Sequence, residues 1–147
     1  GPAALAKAQR FVSDSRDEKT MDRVKTLSEP GGIWDCTHCG ECVERCPKPA
    51  RPFYRIKEIM TVALEQGVHN NNGARHALSF TRSIKRSGKL DENRLPVESV
   101  GIFNIKGLLS LLPIGLRMLL KGKNPPIMHK SIDEMEDVKR IFRELDE

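Results

Sequence analysis

At 147 residues the chain is long enough for one domain with a modest core. Apolar residues at 38% and charged residues at 31% exclude a disordered chain, and 25 basic against 20 acidic residues leave a net charge of +5, too small to specify an acidic partner or a lipid surface. All four cysteines fall between residues 36 and 46, which excludes a disulfide scaffold with bridges spread along the chain and places the protein in a reducing compartment.

In chain order the pattern is helix after helix, with no convincing strand. Residues 4–13 (ALAKAQRFVS) are good helix formers, with Pro2 near the start, where proline is tolerated. Residues 17–27 place Met21, Val24 and Leu27 at helical spacing, and Pro30-Gly31-Gly32 then breaks the chain. After the cysteines, residues 52–66 carry Phe53, Ile56, Met60, Ala63 and Leu64 along one face and stop at Gly67. Asn70-Asn71-Asn72-Gly73 reads as a turn or cap, and residues 74–87 as a helix with Ala74, Ala77, Leu78, Thr81 and Ile84 inward. Residues 90–100 read as an irregular linker around Pro96, and residues 105–121 as an apolar helix bent at Pro113. A second break follows at Lys123-Asn124-Pro125-Pro126. Ser131 and Glu134 form a capping box that opens a last helix with the stripe Ile132, Met135, Val138, Phe142 and Leu145. The fold class expected is all-α. There is no signal-peptide apolar region, since Leu5 is followed at once by Ala6 and Lys7, and no initiator Met, so Gly1 is read as a processed or cut end.

The chemistry lies in DCTHCGECVERCP, residues 35–47. Its spacing is C-x2-C-x2-C-x3-C-P, made of Cys36, Cys39, Cys42, Cys46 and Pro47. Three thiolates at two-residue gaps on a tight turn wrap one corner of a cubane, the run seen in bacterial ferredoxins. Zinc is the competing ligand, but structural zinc sites usually pair two CxxC knuckles a dozen or more residues apart, and that separation is absent here. Dithiol redox chemistry is weaker still, because no βαβ pattern surrounds the CxxC. In the ferredoxin run the cysteine before proline ligates the other cluster of a two-cluster protein. The expectation is therefore that Cys46 points away from the first three thiolates and that a second motif lies upstream of Gly1.

GPAALAKAQRFVSDSRDEKTMDRVKTL followed by IWDCTHCGECVERCPKPARPFYRIKEI resembles the C-terminal portion of the iron–sulfur subunit of the succinate dehydrogenase and fumarate reductase family, over residues 1 to about 66. The resemblance implies an α-helical ferredoxin-like domain over residues 1–100, the C-terminal part of that domain, and a helical extension over 101–147. It implies an electron-transfer subunit of an oxidoreductase, relaying electrons between a flavoprotein subunit and membrane quinone, with no bond-making catalytic residue in this chain. Cys36, Cys39, Cys42 and Cys46 are the cluster ligands it implies. Cys39 fills a position that commoner members leave without a cysteine, which favours a [4Fe–4S] over a [3Fe–4S] cluster, with a second cluster shared through Cys46. An isolated fragment is prone to lose its cluster. Thr37 directly follows the first cysteine, where those members carry a histidine, and His38 comes one place later. The motif and the segment after residue 70 are also similar to an iron–sulfur subunit of heterodisulfide reductase. That similarity gives the alternative function, an electron-transfer subunit wired to a different catalytic partner, and it points to a complex with an unconventional membrane anchor. The implied partners are the flavoprotein and a membrane-anchor subunit, with peripheral membrane association through them. The implied location is cytoplasmic, or periplasm-facing in a variant complex.

Other residues carry less. Trp34 is read mainly as packing, with a shield for the cluster or the edge of a quinone pocket as the sharper reading. His38 is read either as a donor to sulfur or quinone or as a solvated loop residue. His69, His76 and His129 have no metal-like spacing. Arg75, Arg82, Lys85, Arg86 and Lys89 form a basic helix face without interleaved aromatics, which argues against nucleic acid. Residues 102–120 approach the roughly 20 apolar residues a membrane span needs, but Lys106 and Arg117 interrupt them and each would cost about 2.5–3.5 kcal/mol at the bilayer centre. Two readings stay open for this segment, a buried core helix or a helix that docks on a membrane-anchor subunit or the membrane surface. The flanking Lys106, Arg117, Lys121 and Lys123 favour docking.

Overall fold

The computed structural model describes residues 1–123, 125, 126 and 130–146, the side chain of Asp146 excepted. Asn124 of the expected second break, and His129, lie outside the described residues. The fold is all-α: eight α-helices and no strand among the described residues. It divides into two compact units, residues 1–74 and 75–147.

In the first unit α1 (Pro2–Val12), α2 (Thr20–Leu27) and α4 (Pro52–Glu65) pack together, with a short α3 (Glu41–Glu44) between them in sequence. Proline stands at the first turn of both α1 and α4, where a missing N–H costs no helical hydrogen bond. The core is Val12, Val24, Ile33, Ile56, Ile59, Met60 and Ala63, with Leu5, Ala8 and Leu27 closing its edge. The stripe expected on residues 52–66 holds at Ile56, Met60 and Ala63, while Phe53 and Leu64 are only half-buried and Ile59 is fully enclosed.

The α1–α2 turn is braced by its own charges. Asp14 accepts from the Arg16 backbone N–H at 3.0 Å and from its guanidinium at 2.9 and 2.8 Å. Asp17 accepts from Arg23 at 2.9 and 3.2 Å, and the Arg23 guanidinium also lies 5.4 Å over the Phe11 ring. Both carboxyls are held below the usual carboxylate range, Asp14 by the hydrogen bonds from Arg16 and Asp17 by the hydrogen bond from Arg23. This gives the DSRD stretch a structural purpose: it fixes the angle at which α2 leaves α1.

The second unit holds α5 (Asn72–Ser87, whose first residues lie in the first unit), α6 (Arg94–Val100), α7 (Ile105–Leu120) and α8 (Met135–Asp146). Three expectations are corrected here. Residues 94–100 are helical, because Pro96 falls in the first turn of α6, where its missing N–H has no intrahelical partner to lose. On α5 Ala74 is buried and Ala77, Leu78 and Ile84 are half-buried as expected, but Ser79, Ser83 and Ser87 are buried as well, and Thr81 is exposed and returns its hydroxyl to the Ala77 carbonyl at 3.0 Å. The capping box at Ser131 does not form, and α8 begins only at Met135. The Ile132 N–H is taken by the Ser87 carbonyl at 3.1 Å and its side chain covers Gly88, so this segment is anchored on the end of α5 ahead of the helix. Gly88 at φ 70° supplies the left-handed C-terminal turn of α5 that makes this contact. Arg75 ties α5 to the end of α6, donating from Nε to the Ser99 carbonyl at 3.2 Å and from Nη2 to the Val100 carbonyl at 3.4 Å.

α7 is helical as expected, but no residue of it is buried. Asn104 caps it, its side-chain oxygen accepting the Gly107 N–H at 3.0 Å. Leu109, Leu112, Leu116 and Leu119 are 57 to 62% exposed and Leu108 is half-buried, so the segment is not a core helix of the described residues. No helix among those residues is long and apolar enough to cross a membrane.

Replacing Ile59 with Ala should destabilise the chain by about 2–5 kcal/mol in urea unfolding, the cost of a cavity at an enclosed position. Leu145→Ala, at a side chain 75% exposed, should fall within about 0.5 kcal/mol of the parent. Equal losses would place the core elsewhere. Because the Asp17 carboxyl is depressed in the fold, its contribution is present above the usual carboxylate range and fades as pH falls through the folded value. Asp17→Asn should therefore lower the melting temperature near neutral pH, and the gap to the parent should close on acidification. A gap that stays constant down to about pH 2 would remove the ion pair from the account.

Candidate iron–sulfur centre

The residues before the cysteines set the entry of the loop. A Cβ at Gly32 would overlap the Leu27 carbonyl, so this position requires glycine. The Gly31 N–H donates to Asp35 Oδ2 at 2.8 Å, closing a turn that leads into a single 3₁₀ turn, Ile33–Asp35. Ile33 is fully enclosed in the core and anchors this turn, leaving Cys36 half-buried in extended backbone. Two left-handed residues, His38 at φ 57° and Gly40 at φ 79°, then bracket Cys39 and curl the chain. Gly40 opens α3, its carbonyl accepting the Val43 N–H at 2.8 Å, and α3 carries Cys42. Cys46 follows α3, its N–H donating to the Val43 carbonyl at 3.2 Å, and Pro47 prevents the helix from continuing.

The result is a cavity of about 470 Å³ lined by Cys36, Cys39 and Cys42. Leu5 from α1 and Ile56 from α4 form its apolar wall, Gly31 and Gly32 leave one side free of side chains, and Arg45 sits at its edge, paired with Glu41 at 2.5 Å. Cys46 is half-buried and is not among the lining residues. All four thiols are free.

The cavity suits a polynuclear cluster better than a single ion. A zinc ion gathers its thiolates at about 2.3 Å from one point. Among the described residues no three His, Cys, Asp or Glu side chains converge closely enough to hold an ion. A cubane takes each thiolate on a different iron and so accepts thiols spread around a wider space. Cys36, Cys39 and Cys42 would hold it, and when bound it would supply one-electron transfer.

The other residues named from the sequence fall around the centre in different ways. Trp34 packs on the core of the first unit and against Gly73, where a Cβ would collide with it. Its Nε1 is enclosed with no acceptor among the described residues. The exposed His38 ring lies 5.5 Å from Phe53, edge to face. His76 Nδ1 lies 3.1 Å from Ser99 Oγ, in the second unit. Leu5, Gly32 and Ile56 are site residues that the sequence does not mark as such. Pro30-Gly31-Gly32 carries a signal, but one that reads only as a chain break.

Residues 2–50 match the family model of a 4Fe–4S dicluster domain. The iron–sulfur subunit of 8-methylmenaquinol:fumarate reductase from Wolinella succinogenes is 33% identical over 127 residues, 86% of this chain and 38% of that protein. The fumarate reductase iron–sulfur subunit of Mycobacterium tuberculosis is 48% identical over 63 residues, 43% of this chain and 26% of that protein. The succinate dehydrogenase iron–sulfur subunit of Coxiella burnetii is 35% identical over 66 residues, 45% of this chain and 28% of that protein. No solved structure matches. The resemblance read from the motifs is therefore matched by named relatives, and a [4Fe–4S] cluster is the cofactor that the matched domain and the cysteines support. This chain spans less than two fifths of the first relative and about a quarter of the other two.

With four thiols in one run, anaerobic reconstitution of this chain should give at most about one cluster, roughly four iron and four sulfide per chain, and low retention on desalting. One tightly held zinc per chain, or two clusters, would contradict the assignment.

Proposed function

We propose that the chain is the part of an iron–sulfur subunit that carries its second cysteine motif, relaying electrons between a flavoprotein subunit and membrane quinone in a complex of the succinate dehydrogenase and fumarate reductase type. The observation that carries this reading is the division of the motif. Three thiols line one cavity and the fourth, before proline, does not. That division suits a relay, because a ligand turned out of one site is free to serve a neighbouring one.

In this reading Cys36, Cys39 and Cys42 bind the cluster and Cys46 serves the adjacent cluster of the same subunit. Leu5 and Ile56 keep water off one side of the site, and the His38–Gly40 curl sets the direction of Cys39. Nothing in this chain is asked to make or break a bond in the organic substrate. Oxidation and reduction of the succinate and fumarate pair belong to the flavoprotein, and the membrane anchor supplies contact with the quinone pool.

In the complete subunit, Cys36→Ser, Cys39→Ser and Cys42→Ser should each abolish or alter the same electron paramagnetic resonance signal on reduction. Cys46→Ser should spare that signal and disturb another. If all four variants lose one and the same signal, the motif is a self-contained site and the relay reading is wrong.

A further inference from the structure

α7 is the part of the chain that neither the core nor the cysteine site uses. At about 100° per residue, Ile105, Leu109, Leu112, Leu116, Leu119 and Leu120 fall within an arc of roughly 100°. All six are exposed, between 57 and 78%. Phe103, 91% exposed, and Ile102, 60% exposed, extend this apolar surface ahead of the helix. Lys106, Ser110, Arg117 and Lys121 share an adjacent arc of roughly 60°. On the remaining face Gly107, Leu108 and Leu111 are half-buried, a Cβ at Gly107 would collide with Val100 of α6, and further along Ile114, 60% exposed, and Met118, 38% exposed, stand in solvent. The helix thus touches its own unit through its N-terminal half and presents one continuous aliphatic face with a basic flank beside it.

The charges around it are one-sided. From Ser99 to Ile132 there is no acidic residue, while Lys106, Arg117, Lys121, Lys123 and Lys130 are all cationic. None of Lys106, Arg117, Lys121 and Lys123 forms an ion pair among the described residues.

We propose that α7 lies flat in the surface of an anionic bilayer, its aliphatic face at the headgroup–acyl boundary and its basic flank on lipid phosphates. At about 1.5 Å per residue the helix is roughly 24 Å long, shorter than the roughly 30 Å hydrocarbon core, so it lies on the membrane and does not cross it. An aliphatic face with lysine and arginine beside it, and phenylalanine at one end, is what such an interface takes up. A purely apolar protein groove would leave the cations unanswered, so only a groove rimmed with carboxylates competes with lipid. A second copy docked face to face would bring two basic flanks together. An anionic lipid surface satisfies both features at once. The proposal stands apart from the electron-transfer reading, since it uses no cysteine and the chain should bind lipid with or without a cluster.

Flotation of the full 147-residue chain with phosphatidylcholine vesicles, with and without phosphatidylglycerol, is the test. The chain should float with the anionic vesicles, much less with neutral ones, and less in high salt. Changing Lys106, Arg117, Lys121 and Lys123 to Gln should weaken binding about five-fold for each cation removed. Leu112→Asp with Leu116→Asp should weaken it about ten-fold or more, while thermal unfolding stays unchanged, because both side chains are already in solvent. No flotation with anionic vesicles, equal flotation with neutral ones, or insensitivity to the aspartate pair would each overturn the proposal. So would a dimer in light scattering that the aspartate pair abolishes, with no lipid binding, which would make the face a self-association surface. Retention on native membranes only while their proteins are intact would assign the face to a protein partner, and the lipid proposal would fall.

Discussion

The packing of α4 on α1 is the constraint on which the cysteine site depends. Ile56, 2% exposed, belongs to the core between these helices and also forms part of the cavity wall facing the thiols. Leu5 lines the cavity from α1 and packs at the edge of the same core. The loop between residues 36 and 46 has only a short helix of its own, and free thiols exert no attraction that would hold it open. Its shape is imposed from outside, by Ile33 buried at its entry and by α4 beginning at Pro52 after its exit. Once those ends are fixed, the two left-handed residues at His38 and Gly40 restrict how the intervening chain can run.

The same packing explains the braced turn before it. α2 contributes Val24 and Leu27 to the core only if it leaves α1 at the right angle, and the Leu27 carbonyl must then pass close to Gly32. The paired charges at Asp14 and Asp17 hold that angle from the solvent side, where each ion pair alone contributes little. Electrostatics positions the helix and apolar burial holds it there, a division that suits a small unit with few enclosed side chains.

What can be read from the sequence is whatever depends on local chemistry. Thiol spacing is local, so the cluster type can be argued before any fold is known. Apolar spacing gives most helices to within a few residues, because Met21, Val24 and Leu27 on α2 and Ile56, Met60 and Ala63 on α4 each repeat at a helical period. Three features depend on distant partners and mislead a local reading. Pro96 marks a linker when judged alone, but it falls in a first turn that tolerates it. Ser131 and Glu134 have the right spacing for a cap, yet Ile132 is anchored on the end of α5 and the helix starts only at Met135. Serine is ordinarily a surface residue, and nothing local announces that Ser79, Ser83 and Ser87 are the enclosed face of α5. The cavity wall is hidden for a related reason: Leu5 and Ile56 lie far from the cysteines in sequence and look like ordinary core.

The two units divide the physical work. The first uses its apolar side chains for a core that shapes the cysteine loop, whereas the second leaves its most apolar helix in solvent and buries, among its described residues, only Met135 of its large aliphatic side chains. In the proposed reading, Cys36, Cys39 and Cys42 surround a space that takes several irons rather than one ion. Iron-edge X-ray absorption on the anaerobically reconstituted chain tests it most directly. Iron in a sulfur shell with a second shell of neighbouring iron is the expected result. Iron with sulfur neighbours and no iron neighbours, a mononuclear tetrathiolate, would contradict it.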